Sequence, residues 1–143
     1  AFHYDFDAGT LEHSFSELVD FAQPPYLINC KDELNPSGFH TGTFHINQNS
    51  IVFVASDAVS HYVMTLYELA HSSQYEQELT KAKNAHTKNA GLVMNIESSI
   101  RKVDFKKKLK GILKNGNMHL AKAYKKGYIG LDDYSFAFMD FRK

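Results

Sequence analysis

The sequence predicts an α+β protein with mainly antiparallel strands, and three observations carry that expectation. Ser50-Ile-Val-Phe-Val-Ala55 reads as a strand, apolar at five consecutive positions and so expected to be buried on both faces. Tyr134-Ser-Phe-Ala-Phe-Met-Asp-Phe141 alternates Tyr134, Phe136 and Phe138 with Ala137, Met139 and Phe141, a closing strand with apolar material on both sides. Between them Val59, Tyr62, Val63, Leu66, Leu69 and Ala70 mark one face of a helix. The chain has 143 residues, which suits one domain, and is 43% hydrophobic, enough for a single core.

The remaining elements follow in order. Phe15, Leu18, Val19 and Ala22 recur at helical spacing behind Ser14 or Ser16 as N-cap. Pro24–Cys30 reads as a short strand opened by prolines that cannot extend a helix, and 31–41 as a loop. Thr43–Asn47 reads as a strand joined to Ser50–Ala55 at Gln48-Asn49. Residues 72–91 are polar and only weakly periodic. Ile96, Ile100, Val103, Leu109 and Ile112 suggest a second amphipathic helix, broken at Gly111, Gly116 and Asn117. Met118, Ala121 and Tyr124 suggest a short third one.

Charge is balanced overall and divided along the chain. Residues 1–100 carry four Lys and no Arg against 12 acids, a balance of −8; residues 101–126 carry ten bases against Asp104 alone, a balance of +9. Overall neutrality argues against a nucleic-acid binder. The local excess makes Lys106, Lys107, Lys108 and Lys110 candidates for an anionic partner, set against the alternative of a solvated helix face. The one cysteine, Cys30, excludes an internal disulfide and points to an intracellular, cytoplasmic setting. No stretch approaches the roughly 18 apolar residues of a membrane span, and the N-terminus lacks the basic and apolar regions of a secretory signal. The absence of an initiator Met at Ala1 suits a piece of something longer.

Asp57 ends one buried strand and Asp132-Asp133 precede another, and rigid strand ends can present carboxylates to a cleft, as hard divalent cations require. Helix caps and turns use the same residues, so that alternative stays open. His61 lies one helical turn beyond Asp57, at a spacing that also fits an ordinary surface pair. Cys30 lies in an apolar run and resembles an inert hydrophobe, and neither a GxSxG elbow nor a P-loop is present.

Taken together, Phe44-His-Ile-Asn-Gln-Asn-Ser-Ile-Val-Phe-Val-Ala-Ser-Asp57-Ala58 and Gly130-Leu-Asp132-Asp133-Tyr-Ser135-Phe-Ala-Phe-Met resemble the C-terminal half of a metal-dependent protein phosphatase of the PPM family (protein phosphatase type 2C). Phe15–Ile28 is similar to a segment found before the Ser-Asp motif in bacterial members. The resemblance implies residues 1–143 as the C-terminal part of a phosphatase-like domain, with two packed, mainly antiparallel sheets flanked by helices. It implies hydrolysis of phosphoserine or phosphothreonine in a phosphoprotein by water bridging a pair of Mg²⁺ or Mn²⁺ ions. Asp57 and Asp132 take the ligand positions, Asp133 and Ser135 supporting ones, and His61 stands near the site. Ala58 replaces the family's Gly. The opening Asp, the Asp-Gly metal motif and the phosphate-binding Arg of the N-terminal half have no counterpart here, since the surroundings of Asp5 and Asp7 differ. The chain alone is therefore expected to be inactive and to associate with a missing N-terminal half or with itself. The rival expectation is a catalytically inactive, phosphatase-like binding or scaffold module that uses the basic helix.

Overall fold

The computed structural model describes residues 1–22 and 41–142. The strand expected at Pro24–Cys30, with Cys30 itself, and all but the last residue of the 31–41 loop lie outside the described residues. Two strands that periodicity did not indicate open the chain: β1 (Phe2–Asp5) and β2 (Thr10–His13) form an antiparallel hairpin. The turn chemistry explains it. The Asp5 carboxylate accepts from the Asp7 and Ala8 N–H groups, and Gly9 takes a left-handed φ of 70° that an L side chain resists. Asn47 then donates to Asp5 and Asn49 to Asp7, seating the next turn on the hairpin. Both acids are spent on turns.

β3 (Ser50–Ala55) pairs antiparallel with β1, and β4 (Phe136–Asp140) with β3, giving one sheet in the order β2-β1-β3-β4. The α+β class is as expected. Among the described residues there is one sheet, not two. Its period-2 alternation separates two unlike faces. Phe2, Tyr4, Leu11, Ile51 and Phe53 point into the core, where Phe2 stacks on Phe53 at 4.7 Å and Phe53 on Phe136 at 5.1 Å. On the opposite face strands β3 and β4 are largely bare, with Val54 53% and Met139 60% exposed, while His3 of β1 is buried beside the Phe44 ring. The expectation that Ser50–Ala55 and the closing strand are buried on both sides is therefore corrected. Helices cover only one face.

The segment expected as a helix over 15–22 is a 3₁₀ turn, Leu18–Ala22, and Thr43–Asn47 carries no ladder. Helix α1 (Asp57–Ala70) is where the periodicity put it, but it is buried all round from Val59 to Glu68 rather than along one face. Its buried hydroxyls are satisfied locally: Ser60 donates to the Ala55 carbonyl and Thr65 to the His61 carbonyl. Glu68 is the exception, with Oε2 buried and without a partner among the described residues. Burial first, then the facing Glu78 and Glu17 carboxylates, push its pKa from 4.5 up to about 7. The fold thus holds this proton more tightly than the unfolded chain does. Its contribution to stability is complete below pH 4.5 and is lost as pH rises through 7. Glu68→Gln should flatten that slope and raise stability at pH 8 by on the order of 2 kcal/mol, read as an upward shift in thermal midpoint that vanishes at pH 4.

Helices α2 (Glu76–Asn84) and α3 (Lys88–Ser99) resolve the weakly periodic segment. The helix expected to run from Ile96 to Ile112 is two helices. α3 stops at Ser99, and Asp104 caps α4 (Phe105–Lys125) by accepting from the Lys107 N–H at 2.9 Å. α4 breaks at Asn115, as the Gly116-Asn117 pair suggested, but Gly111 does not break it. A Cβ at Gly111 would lie 2.4 Å from the His119 ring, so this glycine makes room for a side chain folded back across the kink. At the far end Gly127 has φ 66°, its N–H bonds the Tyr124 carbonyl, and the Tyr128 N–H bonds that of Ala123. Asn95 donates to the carbonyls of Lys126 and Gly127, anchoring the exit toward residues 128–133. Gly127→Ala adds a left-handed strain and a Cβ 2.8 Å from Asn95 Nδ2. It should cost about 1–2 kcal/mol in a urea titration. No helix among the described residues is long and apolar enough to cross a membrane.

Candidate functional site

Antiparallel pairing joins the C-terminal end of β3 to the N-terminal end of β4, with Ala55 opposite Phe136. The ladder continues one step through Ser56: its N–H donates to the Ser135 carbonyl at 3.0 Å, and its Oγ accepts from the Ser135 N–H at 3.2 Å. Ser56 occupies the N-cap position of α1, yet its side chain makes no cap bond. The hydroxyl ties β4 instead. Asp57 follows this tie by one residue and Asp132 precedes it by three, so both carboxylates stand on the rim of one cleft of about 450 Å³.

Each acid is oriented by its own backbone neighbour. Asp57 Oδ1 accepts from the Ala58 N–H at 2.7 Å and Asp132 Oδ1 from the Asp133 N–H at 2.8 Å. Partial burial, then the adjacent Asp132 carboxyl, raise the Asp57 pKa. The repulsion between two neighbouring carboxylates is relieved by a proton or a cation. Ala58 adopts its backbone conformation without strain, because no non-glycine residue among those described has a positive φ.

His61 borders the same cleft, buried against the edge of the Phe21 ring at 5.6 Å. Burial lowers its pKa to about 4, so the imidazole is neutral at physiological pH. Asp133 is exposed and serves the site through its N–H; Ser135 serves through its backbone. Among the described residues no group of three His, Cys, Asp or Glu side chains is placed to hold a metal ion. Two carboxylates suit one Mg²⁺ or Mn²⁺ that keeps most of its water shell. A second ion needs donors beyond these two.

Two of the four candidate lysines also lie against Phe6. Lys106 donates to the Phe6 carbonyl at 2.8 Å, and Lys106 and Lys110 lie 5.8 and 5.5 Å from the Phe6 ring centre. Arg142, paired with Asp140, closes on the same ring at 4.7 Å. These cations cover a buried phenyl group through their stems and charge. Lys107 is exposed and Lys108 half-buried. Periodicity gave no hint that Lys88, Asn89 and Leu92 of α3 line the same cleft. Comparison with known protein families, curated proteins and solved structures finds no match.

Proposed function

We propose that Asp57 and Asp132 jointly hold a divalent cation, Mg²⁺ or Mn²⁺, as part of a phosphoserine/phosphothreonine protein phosphatase site of which this chain forms the C-terminal portion. The observation that carries the reading is the meeting of two carboxylates 75 residues apart on one cleft rim, each held by a backbone N–H. A cation bound there lowers the pKa of a coordinated water and offsets charge on phosphoryl oxygens. The chain's own residues bind and orient. The Ser56–Ser135 tie holds the strand ends that carry the two acids, while neutral His61 and Phe21 form part of the cleft wall. The bare sheet face around Val54 and Met139 suits the second sheet of a two-sheet sandwich, contributed by the rest of the domain or by a second copy.

A test uses p-nitrophenyl phosphate with Mn²⁺. The chain alone should release no phosphate above the metal-only blank, because one cation held by two carboxylates is an incomplete site. Turnover abolished by Asp57→Asn would place a complete site within these 143 residues. Salt-sensitive capture of polyanions together with indifference to Mn²⁺ would replace the reading with that of an inactive binding module.

A further inference from the structure

Away from the two aspartates, α1 buries an acid that the cleft does not use. Glu68 is 4% exposed, and its Oε2 has no partner among the described residues. The acids that act on it are Glu78 of α2 and Glu17, just ahead of the 3₁₀ turn. Lys81 of α2 is committed to Glu17, donating to both its carboxylate oxygens at 2.8 and 3.1 Å. Asp20 in the turn accepts from the Glu17 N–H at 2.8 Å. On α1 itself, His71 donates through Nδ1 to the Tyr67 carbonyl at 2.9 Å, and Tyr75 at the start of α2 meets the Tyr67 ring at 5.8 Å. From α3, α4 and β3, which also pack on α1, no charged side chain among the described residues acts on Glu68. A neutral carboxyl is tolerated in such a place; an ionised one, with no cation of its own, is not.

The elements beside Glu68 are joined to each other and to the cleft. The 3₁₀ turn packs on both α1 and α2, with Leu18 1% exposed, and the Lys81–Glu17 bond ties its lead-in to α2. α2 is weakly held: of its nine residues only Leu79 and Ala82 are buried, which places it at the low end of local stability. The same turn carries Phe21, whose ring meets His61 at 5.6 Å and whose carbonyl accepts from Asn89 at 2.9 Å. We infer that Glu68 is a proton-operated latch: protonated, it lets the 3₁₀ turn and α2 close on α1, and ionised, it releases them together and uncovers the His61 side of the cleft. In the ionised form Glu68, Glu17 and Glu78 share the single ammonium of Lys81, and opening lets water reach the buried charge. The closed form holds the proton more tightly than the open one, so opening is favoured as pH rises from 4.5 to 7 and levels off above. The latch does not depend on what the cleft binds.

The test is native-state hydrogen exchange on the whole chain between pH 5 and 8, with rates corrected for the intrinsic pH dependence of exchange. The reporters are the amides of Leu79 and Ala85, bonded to the Tyr75 and Lys81 carbonyls, and that of Asp20, bonded to the Glu17 carbonyl. Their opening constant should rise together by about tenfold per pH unit between 4.5 and 7. Amides of β3 should remain at least about tenfold better protected at every pH, since they open only with the core. Glu68→Gln should make the opening of α2 and the turn independent of pH. Carbon NMR of the wild-type Glu68 carboxyl should give a midpoint near 7. Exchange of α2 only in step with β3 reduces Glu68 to a term in global stability and overturns the latch. So does opening that is independent of pH in the wild type, opening that keeps its pH dependence in Glu68→Gln, or a Glu68 midpoint near 4.5. Should Glu68→Gln not fold, the wild-type midpoint and the comparison of α2 with β3 decide.

Discussion

Asp132→Asn is expected to weaken Mn²⁺ binding by more than about 100-fold, since even indirect supports of a metal site cost 10–100-fold when removed. Among the described residues the carboxylate supplies one of two acidic donors on the rim, and an amide carbonyl brings no charge to replace it. Titration calorimetry at pH 7.5 reads the loss directly. The pH dependence has a definite sign. A metal displaces protons from its ligands, so affinity falls as pH falls. The raised Asp57 pKa makes the decline begin at a higher pH than for an isolated aspartate. Asp132→Asn also removes a cause of that elevation, so the Asp57 pKa, followed by carboxyl NMR shifts, should drop. Unfolding is separated by a melt in EDTA at pH 8, where relief of like-charge repulsion should leave the variant at least as stable as wild type. Undiminished Mn²⁺ binding by Asp132→Asn would remove the metal site from this cleft.

Phe53→Ala is expected to be the most destabilising single change, at about 3–5 kcal/mol. Phe53 is 1% exposed and lies between the rings of Phe2 and Phe136, joining three neighbouring strands on the core face. Truncation opens a cavity at the centre of the sheet, and a typical domain has only about 5–15 kcal/mol to lose. Urea denaturation should show a much lower midpoint with an unchanged slope. Val54→Ala, one residue on and facing away from the core, should stay within about 0.5 kcal/mol. The contrast tests the assignment of the two faces. Because β3 leads directly into the Ser56 tie and Asp57, Phe53→Ala should weaken Mn²⁺ binding only in proportion to the unfolded fraction.

Elements whose stabilising contacts lie within one segment were legible from the chain. The Ser50–Ala55 strand, the helix from Asp57 and the break near Gly116 are written in periodicity and breaker residues. The first hairpin was not, because β1 is buried at Phe2, His3 and Tyr4 alike and shows no alternation. The helix expected to span Ile96–Ile112 failed because apolar spacing continues through residues whose backbone does not. α3 ends at Ser99, and the Asp104 cap starts a separate helix. Among the candidate site residues, Asp57 and Asp132 could be picked out by their positions at strand ends. Lys88 could not, since nothing near it in sequence marks a helix start as the wall of a cleft.

By itself the amino-acid order determined the apolar strands, the central helix, the charge division and the candidacy of two separate aspartates. Only the tertiary structure decided that these aspartates line one cleft, that one sheet face is largely bare, and that Lys106 and Lys110 lie over the Phe6 ring. The physical reason is range. Helix and strand periods arise from backbone geometry repeating over a few residues, whereas the encounter of Asp57 with Asp132 depends on antiparallel pairing between β3 and β4, whose register is set by packing in the shared core.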